Sequence, residues 1–219
     1  MRTKTLAAGL LMSTCLFANA HAATLEVAVD SSPAGLDPHL ITAFASVLVV
    51  GDTIYDGMTT IAEDLSVQPS LAESWNISAD GLTYTFSLAK GVTFHDGSAM
   101  TAQDVAASLR RVQNEEMASP LASRISPITG INIVNDSTIA LKLDAPFAPI
   151  LTSLAGIAIV PAEVEMDKDS LQKVPVGTGP FKFNEWVPNG YISLTAFDGY
   201  RTSGLPKIDG VKFNIVPEA

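Results

Sequence analysis

The chain has 219 residues, 47% of them hydrophobic and 16% charged, with a formal net charge of −10. That much apolar content supports one large domain or two modest ones and excludes intrinsic disorder. The basic residues are scattered, with Arg110-Arg111 the only adjacent pair, which excludes a nucleic-acid surface built on clustered lysine and arginine.

Met1 to Ala22 read as a secretory signal. Arg2 and Lys4 give a positive start, "LAAGLLMSTCLF" a short apolar run, and "AHA" the small residues for cleavage between Ala22 and Ala23. "ANA", with Ala18 and Ala20, offers a competing site two residues earlier. Cys15 is preceded by Thr14 and Met12 rather than by the small and aliphatic residues that lipid attachment needs, so lipoprotein anchoring is disfavoured. The segment holds two basic and no acidic residues, so its removal takes the net charge from −10 to −12 (−10 minus +2). The mature chain then has no cysteine, hence no disulfide, thiol nucleophile or thiolate zinc site. No later apolar run reaches the roughly 18 residues of a membrane span.

"TLEVAV" (24–29) opens the mature protein as a strand. Residues 30–39, from Asp30 to His39, follow as a loop rich in Asp, Ser, Pro and Gly. "LITAFASVLVVGDTIYDGM" predicts a helix with Phe44, Leu48 and Ile54-Tyr55 on its inner side, ended by "DGM". "SLAESWNISADGLTYTFSL" predicts a hairpin turning at Asp80-Gly81, with Leu82, Tyr84, Phe86 and Leu88 on one face. After a turn at Asp96-Gly97, Thr101 caps a helix with Asp104 three residues on, and Val105, Leu109 and Val112 form its apolar stripe. "GINIVNDSTIALKL" predicts a second hairpin around Asn135-Asp136, and "ILTSLAGIAIVPA" a short buried element. "YISLTAF" and "VKFNIV" are two further strands. The pattern is mixed α and β without internal repeats.

The residues that carry chemistry are sparse. "PVGTGPFKFNEW" places Gly177 and Gly179 one residue apart, but no lysine and hydroxyl follow as in a Walker loop, and no third glycine and helix as in a dinucleotide loop. Pro180 and the strand-like "FKF" favour a crossover in which the glycines permit a tight backbone path. His39 and His95 lie on different elements, outside any HxxxH or HExxH pattern, and read as surface or loop histidines. No G-x-S-x-G occurs, and His95 and Asp96 are neighbours in a turn, a poor geometry for an acid to orient an imidazole. Asp52 and Asp56, at i and i+4 of the expected first helix, read as two solvated carboxylates rather than an acid–base pair. The loop 30–39 lies where α/β sheets commonly present donors to ligands, and equally where an ordinary strand-to-helix connection would lie.

Taken in order, "LDPH", "YDGM", "PSLAESWNISADGLTYTFSLAKGVTFHDGSAMTAQDVAASLRRV", "PVGTGPFKFNEW" and "DGYRTSGLPKIDGVKFNIVPEA" resemble the solute-binding proteins of bacterial peptide and nickel ABC importers, extracytoplasmic family 5. The resemblance covers essentially all of the mature chain. It implies an α/β, periplasmic-binding-protein-like fold of class II with an inserted α+β domain. Residues 23–58 and 172–219 would belong to lobe I, 59–171 to the inserted domain, and 1–22 to the signal. "GTGPF" would mark the return to lobe I. Family proteins are considerably longer, so the chain is expected to be an N-terminal part in which lobe I is incomplete and the second lobe missing.

The implied function is non-covalent capture of a peptide-like solute in the periplasm and its delivery to ABC-importer permease subunits. A monomer with no catalysis, no cofactor and no resident metal is implied. A nickel or metal-chelate receptor of the same family remains an alternative, made less favourable by the absence of arginine from "LAGIAIVPAE". A secreted hydrolase and an exported structural or chaperone-like domain are the alternatives of other classes. The family's cleft loop corresponds here to Ser31, Ser32, Pro33, Ala34 and Gly35, and the inserted domain's contribution, near "ASPLASR", to Leu121 and Arg124.

Overall fold

The computed structural model describes residues 23–51 and 53–217, so the expected signal, Cys15, the cleavage site at Ala22 and the carboxylate of Asp52 lie outside the described residues. In chain order the elements are β1 (Thr24–Val29), α1 (Phe44–Val50), β2 (Thr59–Ile61), β3 (Val67–Pro69), β4 (Ala72–Ile77) and β5 (Thr83–Leu88). Then follow α2 (Ala102–Gln113), β6 (Ile128–Asn135), β7 (Thr138–Leu143), α3 (Ile150–Ala155), α4 (Ser170–Lys173), β8 (Phe181–Val187), β9 (Tyr191–Ala196) and β10 (Gly210–Ile215).

One four-stranded sheet has the order β4-β5-β7-β6 and is antiparallel throughout. Both of its hairpins turn where expected. Gly81 takes a left-handed φ of 70° after Asp80, a conformation that costs a residue without Cβ little. Tyr84, Phe86 and Leu88 of β5 and Ile139, Leu141 and Leu143 of β7 alternate into one core, against Val105, Leu109 and Val112 of α2. That helix starts at a complete capping box. Thr101 Oγ1 accepts the Gln103 N–H at 3.2 Å, and the Thr101 N–H donates to Asp104 Oδ2 at 2.7 Å.

The other four-stranded sheet, β1-β10-β9-β8, joins distant parts of the chain. β1 runs parallel to β10, with Val27 opposite Phe213, while β10, β9 and β8 are antiparallel. Its core gathers Val29, Phe181, Ile192, Leu194, Val211, Phe213 and Ile215 with Leu36, Val49, Val50, Ile54 and Tyr55. Val160, Val164 and Leu171 pack in this second core, and Val176 touches both.

The first helix is shorter than the sequence suggests and turned the other way. Only Phe44–Val50 is helical, followed by Gly51 in extended conformation. Ala45, Ser46, Val49 and Val50 face inward, whereas Phe44 is 79% exposed and Leu48 41%. A run of β-branched residues with no side-chain cap and no acidic first turn holds a helix weakly. Beyond Gly51 the backbone pairs with another segment. Thr53 and Ile54 offer their carbonyls to Phe181 N–H and Gly179 N–H, both at 2.9 Å. Ile54 and Tyr55 are buried as expected, but in a turn rather than on a helix.

This pairing explains "GTGPF". The outgoing segment at 53–57 and the returning segment at 177–181 lie side by side at the junction of the two cores. A Cβ on Gly177 would overlap the Ile54 carbonyl oxygen, and one on Gly179 would come to 2.5 Å from the Thr53 oxygen. The glycines are required by close backbone approach, and the chain leaves them into β8, not into a helix that could cradle phosphate.

Candidate functional site

A cavity of about 250 Å³ opens beside this junction. One wall is the end of the loop after β1, with Pro38, Ile41 and Thr42, continued by Val47 and Val50 of α1. Leu121, Arg124 and the segment Ala155–Gly156 form another wall, and Tyr55, Asp56 and Ala158 also line the cavity. The loop 30–43 is held against α1 and α4. The Ala34 N–H donates to Ser46 Oγ at 3.0 Å and the Leu36 N–H to Gln172 Oε1 at 2.9 Å.

Of the residues expected at a site, Leu121 and Arg124 line this cavity. Ser31, Ser32, Pro33, Ala34 and Gly35 do not, although they belong to the same loop a few residues upstream. Ser31 is exposed, its hydroxyl donating to Asp30 Oδ1 at 2.9 Å, while Pro33 and Gly35 are buried against the body of the protein. Sequence reasoning did not reach Pro38, Ile41, Thr42, Tyr55 or Asp56. The available signal was their place at either end of the expected first helix, in "DPHLIT" and "YDG".

Arg124 makes no ion pair or side-chain hydrogen bond among the described residues, and its guanidinium lies over Gly156. A Cβ on Gly156 would come to 3.0 Å from Arg124 Nη1, so the absence of a side chain there leaves the guanidinium its place. Asp56, expected to be a solvated carboxylate, is instead held in a network. Its Oδ1 accepts from Arg201 Nη2 at 3.3 Å and its Oδ2 from Thr178 Oγ1 at 3.1 Å, with its side chain only 11% exposed. The pairing of segments 53–57 and 177–181 brings Asp56 to Thr178, and the connection between β9 and β10 adds Arg201, which no local pattern encodes. On the far side of Asp56 a polar recess of about 220 Å³ is lined by Thr59, Thr60, Ser70, Tyr200 and Arg201.

His39 is in a loop, as expected, but it is fully buried rather than at the surface. Its Nε2 lies 2.8 Å from the Ala158 carbonyl oxygen and so carries the proton, while its Nδ1 is buried without a partner. Burial, reinforced by the nearby Arg111 charge, lowers its pKa from 6.5 to about 4, so the ring is neutral at physiological pH. Burial likewise raises the Tyr55 phenol well above its ordinary value, with the Asp37 charge adding to the effect. His95 is half-buried, packed edge-on against Phe197 at 4.9 Å between ring centres, and 3.0 Å from the Gly179 carbonyl oxygen. Both histidines therefore brace backbone. Among the described residues no group of three or more His, Cys, Asp or Glu is placed to hold a metal ion, and no helix is long and apolar enough to cross a membrane.

The cavity is thus lined by apolar side chains, a few hydroxyls and backbone groups, and the guanidinium of Arg124. Known proteins resemble the chain in sequence and fold. The glutathione-binding protein GsiB of Pectobacterium atrosepticum is 34% identical over 193 residues, which is 87% of this chain and 37% of that protein. The periplasmic binding protein AgaA of A. tumefaciens R10, solved with agropinic acid, superposes with a TM-score of 0.83 at 31% identity, over 89% of this chain and 40% of that one. The ABC-transporter-associated DppA of Helicobacter pylori, solved with the peptide STSA, gives 0.81 at 32% identity, over 90% and 43%. The chain thus spans about two fifths of the length of these proteins. AgaA and DppA are mixed α/β periplasmic binding proteins of class II, and the fold described above is part of theirs. The family model for the middle region of bacterial extracellular solute-binding proteins, family 5, matches residues 66–219. The chain belongs to the bacterial extracellular solute-binding proteins of family 5.

Proposed function

We propose that this chain forms part of the periplasmic solute-binding component of an ABC importer, which captures a peptide-like solute without covalent chemistry and passes it to membrane permease subunits. The observation that carries the reading is the cavity between the loop 38–42 and Leu121–Arg124, with Arg124 turned to it and unpaired among the described residues. A free carboxylate of the solute is the natural partner for that guanidinium. Leu121, Pro38, Ile41 and Val47 offer apolar contact to its body. Ser31, Ser32, Pro33, Ala34 and Gly35 join the site only for a solute long enough to pass Pro38. The protein acts as a monomer, exported by a signal cleaved between Ala22 and Ala23 and without lipid on Cys15.

On this reading residues 23–58 and 172–219 belong to lobe I and 59–171 to an inserted domain. The two separate cores support the division. The packing of Val160, Val164 and Leu171 with β8–β10 favours moving its second boundary back towards Ile159.

Native purification of the complete gene product, followed by mass spectrometry of what it retains, tests the proposal. A short peptide or other carboxylate-bearing amino-acid derivative is expected. A metal chelate, or turnover of ester, peptide or glycoside probes, would overturn it. With the retained solute in hand, Arg124→Ala is expected to weaken binding by about 2 kcal/mol, roughly 30-fold, in isothermal titration. Release of uncleaved or lipidated protein, seen by intact mass, would refute the export route.

A further inference from the structure

Arg110 and Arg111 are neighbours on α2 with opposite fates. Arg110 reaches outward to Glu165, at 2.8 and 3.0 Å, as a partly exposed pair. Arg111 points inward and its side chain is wholly buried. Its Nη1 and Nη2 donate to the two oxygens of Asp37, at 3.0 and 2.6 Å, and that carboxylate is equally buried. Nε donates to the Val164 carbonyl at 3.0 Å and Nη2 also to that of Asp167 at 2.6 Å.

The connection continues beyond the ion pair. Asp37 Oδ1 also accepts the His39 N–H at 2.9 Å. His39 Nε2–H donates to the Ala158 carbonyl, and the His39 carbonyl accepts the Ser119 hydroxyl at 2.6 Å. Ser119 Oγ in turn accepts the Leu121 N–H at 3.2 Å. An unbroken buried chain therefore runs from Arg111 to both sides of the cavity. It holds Pro38, Ile41 and Thr42 through Asp37 and His39, and it holds Leu121 and Arg124 through Ser119.

We propose that Arg111 is a positioning residue of the solute cleft: acting through Asp37, His39 and Ser119, it fixes the separation of the two cleft walls. The proposal rests on the reading of this cavity as the solute site. Stability alone is a poor reason to keep such a pair, because burying two charges costs about what their attraction returns, and well-packed apolar replacements are often neutral or stabilising. What an apolar pair cannot reproduce is direction. The planar guanidinium holds its donors in a fixed fork, and here the two hydrogen bonds to Asp37 define where the loop carrying Pro38 must lie. Binding walls held in place before the solute arrives spare the ordering cost at the moment of binding.

The test is amide hydrogen exchange of the complete gene product, wild type against Asp37→Leu/Arg111→Met and against the milder Asp37→Asn, without solute. Peptides covering 36–42 and 119–125 should exchange at least about tenfold faster in both variants, with 83–88 in the first core unchanged. Arg111→Lys, which keeps the charge but not the fork, should fall between wild type and the double variant. Wild-type protection of 36–42 and 119–125 would overturn the proposal. So would loosening that spreads equally to 83–88, since that is the mark of a merely structural pair. If the double variant fails to fold, Asp37→Asn decides by the same two criteria. Exchange is read without solute, so a mistaken solute class leaves this result standing, and a null result here leaves the solute class standing.

Discussion

The two four-stranded sheets are built on opposite plans. β4-β5-β7-β6 is made of two hairpins close in sequence, and its central strands bury every second side chain: Tyr84 is 5% exposed, Phe86 0% and Leu88 2%. In β1-β10-β9-β8 the first strand lies at the edge and pairs with the last across most of the chain. The Ala23 N–H meets Asp209 Oδ2 over 186 positions. β1 buries only Val29, and Leu25 is 52% exposed. Local pairing closes short loops first and is supported by its own alternating pattern, whereas a distant parallel pairing forms only after the intervening chain has folded. The first sheet can thus be stable on its own contacts, and the second leans on the junction.

The strongest test of that dependence is the junction itself. Gly177→Val forces a side chain into the Ile54 carbonyl and is expected to cost more than about 4 kcal/mol in urea unfolding. Loss should be greatest for β1 and β8–β10. Gly91→Ala, where a Cβ meets nothing within 4 Å but φ is 71°, should cost only about 1 kcal/mol. Similar losses for the two would remove the junction from its central role.

Side chains of the two sheets should then differ in weight. Phe86→Ala, at the centre of the first core, is expected to lose about 3–5 kcal/mol, and Leu25→Ala on the edge strand less than about 0.5 kcal/mol. Equal losses would erase the contrast.

The loop side of the second core also carries a proton-linked weakness. The folded His39 has a pKa of about 4 against 6.5 when free, so between those values the unfolded chain binds the extra proton and the native state does not. This contribution is absent above pH 6.5 and grows as pH falls towards 4. There it reaches about 3 kcal/mol of lost stability and then levels. His39→Gln keeps a donor for the Ala158 carbonyl and should flatten the stability profile over that window. An unchanged profile would show that the ring is protonated as easily in the fold as outside it.

The smallest effect expected is in the native state at rest. Amides of β1 should exchange about tenfold faster than those of β5, a difference of about 1.4 kcal/mol. Matching protection would mean that the distant pairing is as firm as the hairpins.

Sequence alone determined what is written in neighbours. The hairpins around Asp80-Gly81 and Asn135-Asp136, the capping box of Thr101 and Asp104, and the stripe Val105, Leu109 and Val112 all rest on residues within a few positions of each other. Local sterics and periodicity act there without the rest of the chain. "GTGPF" was legible as a crossover because glycine, proline and a following strand exclude the phosphate-loop geometry. Tertiary structure decided the rest. It ended α1 at Val50, because the backbone after Gly51 finds hydrogen bonds with 179–181. It buried Arg111 and left Arg110 at the surface, although nothing in "LRRV" separates them. It moved the cavity wall from Ser31–Gly35 to Pro38, Ile41 and Thr42, because Asp37 is drawn to a guanidinium 74 positions away. Such contacts depend on how two cores dock, and docking is fixed by shape and buried hydrogen bonds that leave no periodic trace in the sequence.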